Sequence, residues 1–405
     1  MLRLVYFGWI ILLLAACATT APAATAPRPV TVLISIDGFR ADYLDRGVTP
    51  VLSGMAADGA RGSMRPAFPV KTFPNHYSLV TGLYPDQHGV VDNTMEDPAM
   101  PGVTFRMSNT TAVRDGRWWD GAEPIWVTAE RAGIKTGTMF WPGSEAEIRG
   151  IRPSYVMPFN QAMPSAARAD QVLAWLDLPL DRRPGFVTLY FDVVDTAGHN
   201  FGPDAPETNA ALVEVDAALG QVMAGLKARG QAANVIVVAD HGMTAVSPDR
   251  RAYLDDLIER SAFRVLSGGA FVAVAPVAGR EAEVARAMVG RHPHATCWAS
   301  RNMPTRFRYG RNPRVAPIVC VPESGWTLST RDFRPAQPEK GAHGFDPSET
   351  DMAAIFVANG PAFRQGVSLG RFEIVDVYPL LARLVGAPAQ PNEGRLRRLG
   401  PALAP

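Results

Sequence analysis

Four segments of the chain are apolar on both faces and rich in β-branched or small residues: 30–36, 185–191, 234–239 and 351–358. A strand with one wet face would alternate with a period of two, so these runs suit strands buried inside a parallel sheet. Helical periodicity over 72–83, 165–176, 206–229 and 373–385 fills the gaps between them. Strands alternating with helices predict an α/β fold, a doubly wound, mostly parallel sheet sandwiched by helices. Residues 248–338 break the alternation with a Gly268-Gly269 run into 270–274, a helical pattern over 281–289, and Pro- and Arg-rich sequence. They predict a smaller inserted α+β subdomain, leaving 30–247 and 339–395 as the core. No internal repeat is evident.

The N-terminus lies outside this pattern. Arg3 precedes an apolar run from Val5 to Ala16, then Cys17 and an Ala- and Thr-rich stretch to Pro29. The run is too short for a membrane-spanning helix, which needs about 20 residues, and it suits a secretory signal. Leu14-Ala15-Ala16-Cys17 resembles a bacterial lipobox. The expectation is a signal peptide over 1–17, a linker over 18–29, and an exported, periplasmic protein whose only membrane attachment is a lipid on Cys17. A plain signal peptide cut nearby is the alternative. In an oxidising compartment the two remaining cysteines, Cys297 and Cys320, are candidates for a disulfide, with two buried thiols as the alternative.

Composition narrows the partners. The 40 basic and 39 acidic residues leave a net charge of +1, which gives no reason to expect a nucleic-acid groove or an anionic-membrane patch. The 35 prolines and 36 glycines are spread among apolar strands, which marks ordered loops instead of low complexity.

Polar residues just past the C-terminal ends of buried strands are where open α/β sheets bind ligands. Asp37, Asp195 and Asp240-His241 sit there. A single Asp after a strand is usually a turn or cap residue; three such ends carrying ligand-type side chains weaken that reading. Asp195 and His199 are four residues apart, close enough to grip one ion, and Asp240-His241 presents both ligand types together. Catalytic zinc takes about three His or carboxylate ligands and keeps one position open. With His343, six ligands divide into Asp195, His199 and His343 for one Zn2+ and Asp37, Asp240 and His241 for a second. Two metals beside an uncharged hydroxyl, Thr72, point to displacement at phosphorus.

The run from Phe68 through Lys71-Thr72-Phe73-Pro74-Asn75-His76 to His88-Gly89 and Asp92-Asn93 resembles the nucleophile region of nucleotide pyrophosphatase/phosphodiesterases of the alkaline phosphatase superfamily. Asp195-Thr-Ala-Gly-His199, Ala239-Asp-His-Gly-Met243 and Gly341-Ala-His-Gly-Phe345 resemble that family's other signatures, in the same order. The resemblance covers residues from about 30 to 395. It implies Thr72 as nucleophile and as a ligand of the metal held by Asp37, Asp240 and His241, and Asn93 as a donor to a phosphate oxygen. It further implies Phe73 and Tyr155 as the aromatic pair that sandwiches a nucleobase. His76, His88 and Asp192 match no ligand position and are expected to be structural.

Relatives that cleave phosphate monoesters resemble this chain around Thr72 but carry a Lys and an Arg after a later strand. The corresponding stretch here, 138–145, has no cation. A monoester dianion would lack partners there, whereas a diester monoanion does not need them. The expected substrate is therefore a nucleotide or other phosphodiester, cleaved to a nucleoside 5′-monophosphate through a covalent nucleotidyl-threonine. Hydrolysis of a lipid-headgroup diester, a monoester or a phosphonate is the alternative chemistry. A metal-bearing but inert binding protein is the alternative from another class.

Overall fold

The structure, a computed structural model, describes residues 28–333 and 337–405. The expected signal segment with Cys17, and all but the last two residues of the 18–29 linker, lie outside the described residues. Among the described residues no helix is long and apolar enough to cross a membrane.

The central strand is Val30–Ile36, every residue of which is buried. It pairs in parallel with Phe186–Phe191 on one side and Ala233–Val238 on the other. Thr136–Met139 and Tyr155–Met157 extend the sheet in parallel beyond Phe186–Phe191. On the other flank Ala354–Asn359 joins Ala233–Val238, followed by Ala60–Arg65 and two short edge strands, Val367–Ser368 and Phe372–Glu373. The apolar run at 351–358 is thus a sheet strand, but it lies antiparallel to both neighbours. Burial on both faces reveals that a strand is internal and carries no information on its direction, so the sheet is mixed.

Helices flank the sheet in two groups. Pro206–Ala228 packs on Ser165–Leu176, Val193–Phe201 and Pro50–Ala57, while Val377–Val385 packs on Thr72–Thr81 and Ile125–Arg131. The helix expected from 373 starts at Val377, after a single 3-10 turn over Ile374–Asp376.

Within the 248–338 stretch a separate five-stranded antiparallel sheet forms, in the order Phe263–Ser267, Val272–Pro276, Ile318–Pro322, Ala295–Ala299, Gly290–His292. The helix Glu281–Met288 covers a small core of its own that includes Phe263, Val272, Val284, Met288 and Ile318. Cys297 and Cys320 face each other across two antiparallel strands, with Cα atoms 4.0 Å apart, and are joined by a disulfide. The bridge spans 23 residues, for which loop-closure entropy suggests about 3 kcal/mol of stabilisation. Replacing both cysteines with alanine should lower the denaturation midpoint by a corresponding amount without loss of bound metal. Calorimetry and metal analysis on the same sample would check this.

Candidate active site

Strand register brings the first carboxylates together. Ser35 pairs with Val238, so Asp37 and Asp240, each two residues further on, leave their strands at the same level. Gly38 follows with a φ of +69°, a left-handed turn that suits glycine. Its N–H donates to Asp240 Oδ1 at 3.2 Å. The next strand end, after Phe191, opens into the helix Val193–Phe201, whose i, i+4 spacing stacks Asp195 and His199 on one face. Gly341 then lies so close that an added Cβ would meet the Gly198 carbonyl oxygen at 2.3 Å. That approach places His343, two residues later, beside His199, with ring centroids 5.0 Å apart.

Each histidine is oriented by the main chain. The Nδ1 atoms of His199, His241 and His343 lie 2.9, 2.9 and 2.8 Å from the carbonyls of Gly341, Gly242 and Val70. A carbonyl can only accept, so Nδ1 carries the proton and the Nε2 lone pair is the one left for the centre, as in metal-ligating histidines. There the polar atoms lack partners. His241 Nε2 is 2.9 Å from Asp240 Oδ2 and 3.5 Å from Asp37 Oδ1. His199 Nε2 is 3.5 Å and His343 Nε2 3.8 Å from Asp195 oxygens. Asp37 Oδ1, Asp195 Oδ1, Asp240 Oδ2 and His241 Nε2 are buried without a hydrogen bond. A lone pair facing carboxylate oxygens, all unsatisfied, calls for a cation.

The electrostatics agree. Burial first, then neighbouring carboxylates, pushes the Asp37 and Asp240 carboxyls well above the ordinary aspartate range. Burial, aided by the adjacent His241 and His199, holds His343 neutral. The ligand atoms of Asp195, His199 and His343 lie within 4.8 Å of one another, and Asp37 shares such a group with Asp195 and His241. Carboxylate oxygens and imidazole nitrogens without thiolate suit zinc or a similar divalent ion.

Thr72 opens the helix Thr72–Thr81 and lines one cleft with Asp37 and Asp195. Three residues inside that helix, Asn75 fastens the preceding loop: its Oδ1 accepts the Ala67 N–H, and its Nδ2 donates to the carbonyls of Ala67, Pro69 and Lys71. His76 lies within 3.4 Å of Asp240 but is no free ligand. Its Nδ1–H donates to the Thr72 carbonyl at 2.8 Å, and its Nε2 accepts the Ser35 hydroxyl at 2.8 Å. Burial lowers its pKa to about 3, so the ring stays neutral. Asn93 accepts the Phe73 N–H on Oδ1 at 2.9 Å, which fixes its amide and leaves the NH2 group without a partner among the described residues. Tyr190, which no motif marks, donates its hydroxyl to Asp37 Oδ2 at 2.6 Å.

The cleft, of about 230 Å3, continues from Thr72 between aromatic walls formed by Phe73, Phe140, Trp141, Phe159 and Tyr190, and among the described residues no Lys or Arg lines it. Tyr155 is not among these walls. It begins its strand at the end remote from the site, stacks on Trp175, and donates its hydroxyl to the Arg182 carbonyl. The aromatic that faces the cleft is Phe159, two residues past the same strand's C-terminal end, which is the end where ligands bind. The rule that picked Asp37 would have picked Phe159. Asp192, expected to be structural, pairs with the buried Arg168 at 2.7 Å and also lines the cleft.

Residues 31–346 match the family model described as type I phosphodiesterase / nucleotide pyrophosphatase. The chain belongs to this family. With membership come the alkaline phosphatase-like fold and the class of reaction, metal-dependent hydrolysis of phosphodiester and pyrophosphate bonds. An uncharacterized pyrophosphatase/phosphodiesterase of Schizosaccharomyces pombe is 38% identical, over 91% of this chain and 79% of its own length. Human ectonucleotide pyrophosphatase/phosphodiesterase family member 1 is 37% identical over 90% of this chain but only 41% of its own. Venom phosphodiesterase 2 of Crotalus adamanteus is 36% identical over 93% and 48%. The chain thus spans less than half of the human and venom relatives. Among solved structures, murine ectonucleotide pyrophosphatase/phosphodiesterase 5 superposes with a TM-score of 0.87 at 32% identity, over 93% of this chain and 100% of that one. One structure of that murine protein is an inactive threonine-to-alanine variant in complex with AMP.

A pH dependence follows from the carboxylates. Without metal, Asp37 and Asp240 hold protons that an unfolded chain, with an aspartate value near 3.8, has already released. The contribution of these two carboxyls to metal-free stability should therefore fall as pH rises from about 4 through their raised values, against the opposite trend of the buried neutral His76 and His343 up to about 6.5. Bound metal replaces those protons and should remove the loss. Melting temperatures with a chelator and with added Zn2+, from pH 4 to 8, should diverge as pH increases.

Proposed function

We propose that the chain is a two-zinc nucleotide pyrophosphatase/phosphodiesterase that releases nucleoside 5′-monophosphate through a covalent nucleotidyl-threonine at Thr72. The observation that carries this reading is the shared cleft. A helix-terminal threonine stands between buried, cation-seeking ligands on one side and an aromatic, cation-free slot on the other. Asp195, His199 and His343 would hold one Zn2+, and Asp37, Asp240 and His241 the other, with Thr72 as a further ligand. When bound, the ions would neutralise phosphate charge and make a hydroxyl nucleophilic at neutral pH.

Thr72 Oγ attacks phosphorus, its proton is lost, and the leaving oxygen departs on the opposite side. The Asn93 NH2, held by the Phe73 N–H, donates to a non-bridging oxygen where negative charge grows. Water then cleaves the phosphothreonine bond and frees the monophosphate, so two inversions give net retention. The base would lie between Phe73 and Phe159, since stacking tolerates any base. The absence of Lys or Arg in the slot supports a diester monoanion over a monoester dianion. The AMP complex of the murine relative supports the nucleotide. Export, a periplasmic location and lipidation at Cys17 belong to the same proposal, on the strength of the N-terminal sequence.

Thr72→Ala should abolish turnover while zinc content and AMP binding persist, measured by metal analysis and calorimetry. Asn93→Ala should lower kcat by roughly 10²–10³-fold; a loss of only a few-fold would remove it from the oxyanion role. Phe159→Ala should raise KM for nucleotide esters about tenfold, in line with about 1–3 kcal/mol of stacking, while Tyr155→Ala leaves KM unchanged. Assays with a nitrophenyl nucleotide ester, a dinucleotide polyphosphate, nitrophenyl phosphate and glycerophosphocholine test the substrate class. Turnover of the choline ester alone would overturn it.

A further inference from the structure

Arg168, on the helix Ser165–Leu176, is 1% exposed. A guanidinium out of water is tolerable only where its donors find acceptors, and the acceptors here belong to two different parts of the cleft wall. Nε donates to the Met163 carbonyl at 2.9 Å, and Nη2 to the Gln161 carbonyl at 3.3 Å. Nη1 donates to Asp192 Oδ1 at 2.7 Å and to the Tyr190 carbonyl at 3.1 Å. The guanidinium also lies over the Phe140 ring, 5.1 Å from its centroid.

One set of acceptors is the irregular segment 158–164, which follows the Tyr155–Met157 strand and carries Phe159. The other is the end of the Phe186–Phe191 strand, whose Tyr190 holds the ligand Asp37. Phe159 is 48% exposed at the mouth of the cleft. Its ring is edge-on to Phe140 at 5.4 Å and to Tyr190 at 6.0 Å, both held from behind by Arg168 contacts. Among the described residues no ladder pairs the 158–164 segment with the sheet, so its position depends on side-chain contacts: those of Arg168, and Glu145 Oε1, which accepts the Phe159 N–H at 2.8 Å.

We infer that Arg168 is a positioning residue of the nucleoside half of the cleft, acting beside the Glu145 contact to the Phe159 main chain. Its guanidinium ties the 158–164 segment to the 190–192 strand end, so that Phe159 stands ready before a base arrives. The inference rests on the nucleotide reading above. Without the tie, the segment would have to be ordered on binding, and affinity would fall while the chemistry at Thr72 stayed intact.

The test compares a nitrophenyl ester of a nucleoside 5′-monophosphate with methyl nitrophenyl phosphate, which has the same leaving group and no base. If the unaltered protein shows no preference for the nucleotide ester, the nucleotide reading itself fails, whatever Arg168 does. Given that preference, Arg168→Ala should raise KM for the nucleotide ester at least tenfold with kcat within about threefold. AMP affinity should fall in parallel, and kcat/KM for the methyl ester should stay within about twofold. Arg168→Lys, which keeps the charge with fewer fixed donors, should recover part of the loss, and it serves under the same criteria if the alanine variant does not fold. Combined with Phe159→Ala, Arg168→Ala should cost nothing further. Equal losses on both esters, an unchanged KM, or additive losses in the double variant would overturn the assignment.

Discussion

Asp37 and Asp240 meet because adjacent parallel strands of one sheet end at the same level, and the helix that follows the next strand brings Asp195 beside them. Two unit charges about 4 Å apart repel by about 4 kcal/mol even at an effective dielectric constant of 20, and Asp37 and Asp240 are almost wholly buried. Side-chain rotation cannot separate them, since the parallel pairing of Val30–Ile36 with its neighbours sets their spacing. Protons or metal cations must supply the missing positive charge, and the surroundings favour cations. Three imidazoles turn unprotonated nitrogens inward, each with its other nitrogen bound to a carbonyl. The Tyr190 hydroxyl and the Gly38 N–H satisfy the outer carboxylate oxygens and leave the inner ones bare.

The nucleophile is placed by a different kind of constraint. Residues 66–71 make no strand ladder, so Thr72 depends on polar side chains that bind main chain. Asn75 spends its whole amide on that loop, and His76 spends both ring nitrogens, one on the Thr72 carbonyl and one on Ser35 of the central strand. A histidine this near Asp240 could join Asp37 and Asp240 around a cation, but both of its ring nitrogens already have partners. That pairing also separates two roles that sequence proximity blurs, since Thr72 and His76 share a helix turn yet only one of them opens onto the cleft.

Much of this could be read from residues alone, for a physical reason. Candidate ligands that follow buried strands are local signals, and Asp37, Asp240 and His241 are of that type. Asp195 and His199 are local too, through helical spacing. His343 follows no apolar run of that kind, and its mark is the Gly341-Ala-His-Gly-Phe345 motif. What escaped were side chains whose role exists only in three dimensions: Tyr190, which looks like one more apolar strand residue, and Arg168, which looks like a surface cation on a helix. Tyr155 lies off the cleft: an aromatic near the right spacing says nothing about which end of its strand it occupies. The direction of the Ala354–Asn359 strand was hidden for a similar reason, since apolar faces look alike in both orientations.

The second sheet also has a physical part in the site, although it contributes no ligand. Phe68, in the loop before Thr72, packs against Phe271, Phe307 and Tyr309 of that unit, with centroids 5.5, 4.3 and 5.2 Å away. Tyr309 donates to the Val91 carbonyl, two residues before Asn93. Arg314 donates to the Gly89 and Trp118 carbonyls and pairs with Asp97. One disulfide-bridged unit therefore backs both the loop before Thr72 and the segment that carries Asn93. Neither has a ladder to the main sheet on the Thr72 side, so their relative position is set through this shared support. In-line attack with a donor at the developing charge requires that position to hold within a fraction of an ångström. A sheet that lies outside the chemistry is thereby bound to it through packing.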